Sequence, residues 1–163
     1  MLFTFRSFLL LSLLETGAIF GFFYAWVCST MWGLDGARPE IAIAAMQAMN
    51  ASVRNGVFAV SFFGTPLVLL ATVIMAFVTA HRRAGVILAA ALVFSVTSVV
   101  ATMAVNVPMN QALALVSLPS DRAAEIWAAY SGPWQLWNSL RTLTSGVALL
   151  LVGVALMQAQ HRT

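Results

Sequence analysis

This chain predicts an all-α integral membrane protein, a four-helix up-down bundle, and three observations carry that prediction. Apolar residues make up 61% of the sequence and charged residues 8%, where a soluble domain has roughly 25% charged. The apolar residues fall into four runs, each long enough at about 1.5 Å per residue to cross about 30 Å of hydrocarbon. No segment shows the alternation a membrane barrel needs, whereas helices satisfy their own backbone where lipid offers no partner. Four spans and modest loops account for all 163 residues, so a single membrane domain over 1–163 is expected, with short extramembrane helices in the first and third loops.

Span one is read at 5–28. Its apolar run is longer than a signal-peptide core, contains Glu15 and lacks a small-x-small cleavage site, so it is expected to be a retained span. Gly17 and Gly21, extended by Ala25, form a small-xxx-small spacing that lets a neighbouring helix approach closely, and Cys28 reads as a small buried residue. In the first loop, Pro39 and Glu40 suit the opening turn of a helix reaching Asn50. Span two follows at 55–80, where Gly64 and Pro66 favour a bend, and span three at 84–105, the two joined by a tight turn at His81, Arg82 and Arg83. In the third loop, Ser120 is a candidate N-cap for a helix over 121–130. Gly132 and Pro133 should end that helix, with Pro133 opening span four at 134–157.

Charge and composition exclude several classes of function. The basic residues are eight arginines with no lysine, set against five acids, and they are scattered, which argues against a nucleic-acid surface. A single cysteine excludes internal disulfides, a Cys-x-x-Cys pair and a cysteine zinc site. His81 and His161 are the only histidines; both fall on the face away from the polar residues, so neither a bis-histidine haem nor a histidine metal centre is expected. No metal site and no cofactor are predicted. Arginines divide evenly between the two sides of the membrane, but the tight Arg82–Arg83 turn carries no acid. That turn therefore places both termini in the cytoplasm of a multi-pass cell-membrane protein surrounded by lipid.

Up-down topology brings the end of span one, the start of span two, the end of span three and the start of span four to one face, and the polar residues gather there. Gln47, Asn50 and Arg54 are spaced i, i+3, i+7, as one face of a continuous helix would space them. Asn106 and Asn110 are four apart, and Asn138 and Arg141 three apart. All five tryptophans, Trp134 and Trp137 among them, lie on this face as well. Two readings stay open for the tryptophans: an ordinary interfacial belt, or a pocket with flat apolar walls and indole donors. The asparagines and arginines are either interhelical cross-links or a ligand site, since a fixed charge near a helix end is expensive without a partner. Glu15, near the middle of span one, should be protonated or paired; it is a candidate proton acceptor or arginine partner.

The stretches AIAAMQAMNASVRNGVF (42–58), NVPMN (106–110) and WAAYSGPWQLWNSLRT (127–142) together resemble the anthrone oxygenase-like family of small integral membrane proteins. The likeness follows their order and spacing over nearly the whole chain. It implies a four-helix membrane bundle and, for the fungal members, oxidation of an anthrone to its anthraquinone by molecular oxygen as co-substrate. Asn50, Asn106, Asn110, Trp134, Trp137, Asn138 and Arg141 match the family's recurrent positions. Many members read Trp-Asn-His in the last motif, where this chain has Ser139.

On that resemblance, Glu15, Arg141 and Asn138 are the catalytic candidates. Asn50, Arg54, Asn106, Asn110, Trp134 and Trp137 are the binding candidates for a hydrophobic aromatic small molecule. The chemistry asks for a proton acceptor, donors that stabilise an oxyanion, and flat walls. The alternative is a non-catalytic membrane protein that binds a lipid, a quinone or a partner helix. A transporter subunit fits least, because four spans and one membrane acid offer no evident alternating pathway.

Overall fold

The computed structural model describes residues 2–160, and all regular structure among them is helical. Helix α1 (Leu2–Ala25) passes through a π-helical turn, Trp26–Thr30, into α2 (Met31–Asp35). Helix α3 (Pro39–Ser52) follows, and α4 (Gly56–Val78) crosses back to a tight turn. Helix α5 (Arg82–Ala101) returns and passes through a second π-helical turn, Thr102–Asn106, into α6 (Val107–Ala114), and α7 (Ala123–Gln160) completes the bundle. Four continuous helical stretches are long and apolar enough to span: Thr4–Asp35, Gly56–Val78, Arg82–Ala114 and Ala123–Ala159. Round the bundle, α1 packs on α4 and α7, and α5 packs on the same two. Helices α2, α3 and α6 gather against the first half of α7.

The bundle is inverted relative to a soluble one. Val57, Leu67, Val93 and Leu150 are exposed, while Ser12, Thr16, Thr72, Ser98, Asn138 and Arg141 are buried. Such a surface belongs in lipid, and the chain is a multi-pass membrane protein. Inside, hydroxyls return their protons to carbonyls of the preceding turn, as Thr16 does to Ser12 and Thr65 to Ser61, both at 2.6 Å. Ser12 and Thr72 bond across α1 and α4 at 2.8 Å, the kind of contact worth about 0.6 kcal/mol between membrane helices.

At the turn after α4, His81 N–H donates to the Ala76 carbonyl and Ala80 N–H to that of Phe77. This is a Schellman closure, and it puts Ala80 at φ 61°, a conformation for which glycine is the usual residue. The turn proper is Thr79–His81, so Arg82 and Arg83 open α5 instead of forming the loop. His81 is buried, with its ring against Phe5; His161 lies outside the described residues.

Four expectations are corrected. Gly132 and Pro133 do not break the chain, for α7 runs through both. The missing proline N–H is outweighed because Trp127, Tyr130 and Trp134, on one face of the unbroken helix, all enter the core shared with α2 and α3. Membrane helices also tolerate an internal proline more readily than soluble ones. Cys28 is exposed, since it falls within the first π-helical turn, which buries none of its residues. A side chain at Gly21 would meet nothing, and one at Gly17 only the tip of Leu149. The close approach of α1 to α7 is instead at Gly146, where Phe20 stands 3.1 Å from a virtual Cβ. Finally, α3 ends at Ser52, so Gln47, Asn50 and Arg54 do not share one continuous helix face.

Candidate functional site

A cavity of about 460 Å³ opens between the upper halves of the spanning helices, where α1, α4, α7 and the second π-helical turn with α6 meet the cap formed by α3. Cavities of this size hold small organic ligands. Seven aromatic side chains line it: Phe22, Phe23 and Trp26 from α1 and its π-helical turn, Phe58, Phe62 and Phe63 from α4, and Trp134 from α7. Trp26 and Trp134 have ring centroids 5.1 Å apart, and Phe58 and Phe62 stack at 5.2 Å.

Polar groups enter from three sides. Asn50 comes from α3, Asn110 from α6 and Arg141 from α7, while Arg54 stands in the turn before α4. Each π-helical turn falls at this level, and π-turns recur at functional sites because they re-aim side chains within a continuous helix. The second one brings Thr102 and Asn106 to the interior together.

Arg141 dominates the electrostatics. It is 4% exposed, its Nη2 donates to Asn138 Oδ1 at 2.9 Å, and its Nη1 reaches Thr102 Oγ1 at 3.4 Å. Nε has no partner. The guanidinium carbon lies 4.6 Å from the centre of the Phe23 ring and 5.3 Å from that of Trp134, within reach of cation–π attraction. Among the described residues the one ion pair is Arg122–Glu125, at the surface, so no carboxylate neutralises Arg141.

Two of the amides that line the cavity, Asn110 and Asn50, keep donors free, while Asn106 Oδ1 is buried without a donor. Tyr130 Oη and Trp134 Nε1 both donate to Asn110 Oδ1, at 2.8 and 2.9 Å, which leaves the Asn110 amide N–H groups for the cavity. Asn50 Nδ2, close to the Tyr130 hydroxyl, is buried without an acceptor in hydrogen-bonding geometry. A ligand with an anionic or carbonyl oxygen at this point would meet several donors and no competing acid.

Of the nine residues singled out from sequence, Asn50, Arg54, Asn110, Trp134 and Arg141 line the cavity. Asn138 stands behind it, 1% exposed, and holds Arg141. Asn106 is buried beside α7, its Nδ2 3.4 Å from the Trp134 carbonyl. Trp137 is half-buried and off the lining. Glu15 lies lower on α1, also off the lining, with Oε2 buried and unpartnered. Gln47 serves the scaffold, donating to the carbonyls of Leu113 and Val116.

Sequence reasoning missed the phenylalanines. The run Phe20–Phe23, with Phe22 and Phe23 just before Trp26, and the cluster Phe58, Phe62 and Phe63 were the available signals, hidden among other apolar residues. Ser139, where many relatives carry histidine, is exposed and off the lining, so this departure removes no group from the cavity wall.

Among the described residues no three histidine, cysteine or acidic side chains gather as a metal site. In comparisons with known proteins, the sequence model described as anthrone oxygenase matches residues 56–151. That range takes in the second and third motifs whole, but only Gly56–Phe58 of the first. No curated protein and no solved structure matches the chain.

Proposed function

The chain belongs to the anthrone oxygenase family, and from that premise we propose that it oxidises an anthrone or a related polycyclic phenol to a quinone with molecular oxygen, in this cavity and without a cofactor. The observation that carries the proposal is the buried guanidinium of Arg141, uncompensated by any acid and facing an aromatic-walled cavity. Aromatic walls take a flat ring system. Donors at one end take its oxygen.

The chemistry asks little else of the protein. An anthrone loses a proton from the methylene carbon opposite its carbonyl to give an aromatic enolate, whose negative charge rests on oxygen. Arg141, with the amides of Asn50 and Asn110, stabilises that oxyanion and so favours loss of the proton, the role such donors play at developing negative charge. The enolate passes one electron to molecular oxygen, and the two radicals combine at the ring carbon. After protonation, the resulting hydroperoxide loses water. One oxygen atom stays as the new carbonyl, and the other leaves with the two methylene hydrogens. With Glu15 off the lining, water is the proton acceptor in this scheme.

The test is oxygen uptake by the purified protein in detergent with an anthrone supplied. Wild type should consume one oxygen molecule per anthrone, and Arg141→Ala should be slower by about 10²–10³-fold, as for loss of one oxyanion donor elsewhere. Equal rates overturn the proposal. A second reading, a non-catalytic protein holding a quinone or lipid, is favoured by the absence of an acid or histidine from the cavity lining. A copurified quinone in native mass spectra, without oxygen uptake, selects it. In either reading we place the protein in the cell membrane with both termini cytoplasmic.

A further inference from the structure

The seam between α1 and α4 has two sides. Outside it lies an apolar groove of about 640 Å³ that includes Ala18, Ile19, Val57 and Ser61; inside it lies the cavity. Phe22, Trp26, Met49, Val53, Asn55 and Phe58 line both. Across the seam Phe22 and Phe58 stand with ring centroids 4.8 Å apart and planes tilted by 47°. What separates groove from cavity at that point is a pair of half-buried side chains, not backbone.

The groove faces hydrocarbon. Ala18 lies eight residues before Trp26 on a continuous helix, about 12 Å deeper by helix rise. The neighbouring surface carries exposed Leu14 and Val60.

We infer that this groove is a lateral port through which a planar aromatic ligand dissolved in the bilayer reaches the cavity, with Phe22 and Phe58 as its gate. The inference rests on the proposed occupant, a polycyclic phenol or quinone. Such a molecule partitions into lipid, and a route between two helices spares it a return to water. Rotation of one ring about its side-chain torsions opens the way without unpacking a helix. A gate alters how fast a ligand arrives and leaves, but not how tightly it is held once inside, because free and bound states are unchanged.

The full chain in phosphatidylcholine vesicles tests this, with dihydroxyanthraquinone in the lipid as probe and quenching of tryptophan fluorescence as readout. Ala18→Phe and Ser61→Phe fill the groove from opposite helices, and neither position lines the cavity. Association and dissociation rates should both fall about tenfold with Kd unchanged, whereas affinity changes usually appear in dissociation alone. Leu67→Phe, on the lipid face of α4, should match wild type. Wild-type rates in both groove variants, or a changed Kd with unaltered association, overturn the port and leave the occupant standing. No quenching of wild type overturns the occupant and the port together. The second groove variant decides should the first fail to fold.

Discussion

Asn138 Nδ2 donates to the Phe23 carbonyl at 3.1 Å while its Oδ1 accepts from Arg141 at 2.9 Å. A single buried amide thus ties α7 to α1 and fixes the guanidinium that faces the cavity. The same residue that cross-links two membrane helices also orients the charge. The two readings left open for these side chains by sequence are therefore not exclusive.

Arg141 should cost the fold stability. A buried charge without a counter-ion carries an uncompensated desolvation penalty, and replacing such groups with apolar ones of similar volume is often stabilising by about 1–4 kcal/mol. Arg141→Met is expected to raise the thermal unfolding temperature in detergent while abolishing binding of a hydroxyanthraquinone. A lowered unfolding temperature would mean that the guanidinium is a structural cross-link first.

Asn138→Leu should act in the opposite direction on stability. It leaves Arg141 Nη2 buried without its acceptor, a loss of about 1–3 kcal/mol, and it frees the guanidinium to turn. Unfolding temperature and ligand affinity should fall together, measured by thermal denaturation and by fluorescence quenching. An unchanged affinity would separate the tether from the site.

The spans and the shared helix face of Asn138 and Arg141 were legible because hydropathy and i, i+3 spacing are local properties; the bond between the two was not read. The phenylalanine walls were not. In an apolar membrane helix, Phe58 or Phe62 looks the same whether it faces lipid or a cavity, and only the neighbouring helices decide. Pro133 misled for a related reason: its local signal says break, and the packing of Trp127, Tyr130 and Trp134 overrides it. Cys28 was misplaced because sequence carries no sign of the π-helical turn that contains it.

The glycines separate two kinds of position. At Gly146 a side chain meets Phe20 at 3.1 Å, and at Gly21 it meets nothing. Gly146→Leu should force α1 away from α7 and destabilise by about 1–3 kcal/mol. Gly21→Ala should be neutral or mildly stabilising through helix propensity, by at most about 1 kcal/mol. Thermal unfolding of the pair checks this, and equal losses would remove the distinction.

The proposed orientation rests on Arg82 and Arg83 under the positive-inside rule. With Cys28 replaced by serine, a cysteine at Ser120 should react with a membrane-impermeant maleimide added to intact cells. A cysteine at Arg83 should react only after permeabilisation. The reverse pattern would place both termini outside.

Asp35 closes the cap over the cavity. Its Oδ1 accepts from Trp127 Nε1 at 3.0 Å and Ser131 Oγ at 2.6 Å, and its Oδ2 from Gln135 Nε2 at 2.9 Å. One carboxylate at the end of α2 thereby holds two turns of α7, and α2 belongs to the stretch that carries Trp26 to the cavity wall. Asp35→Ala removes all three bonds. Because the site is partly open to solvent, each bond should contribute near the low end for a hydrogen bond, about 0.5 kcal/mol, and the loss should be about 1–2 kcal/mol in total. Asp35→Asn keeps one carbonyl oxygen for Trp127 and Ser131 and gives up Gln135, so it should lose less. Thermal unfolding followed by tryptophan fluorescence ranks the two variants against wild type; Asp35→Asn as damaging as Asp35→Ala would show that charge, not bond geometry, holds the cap.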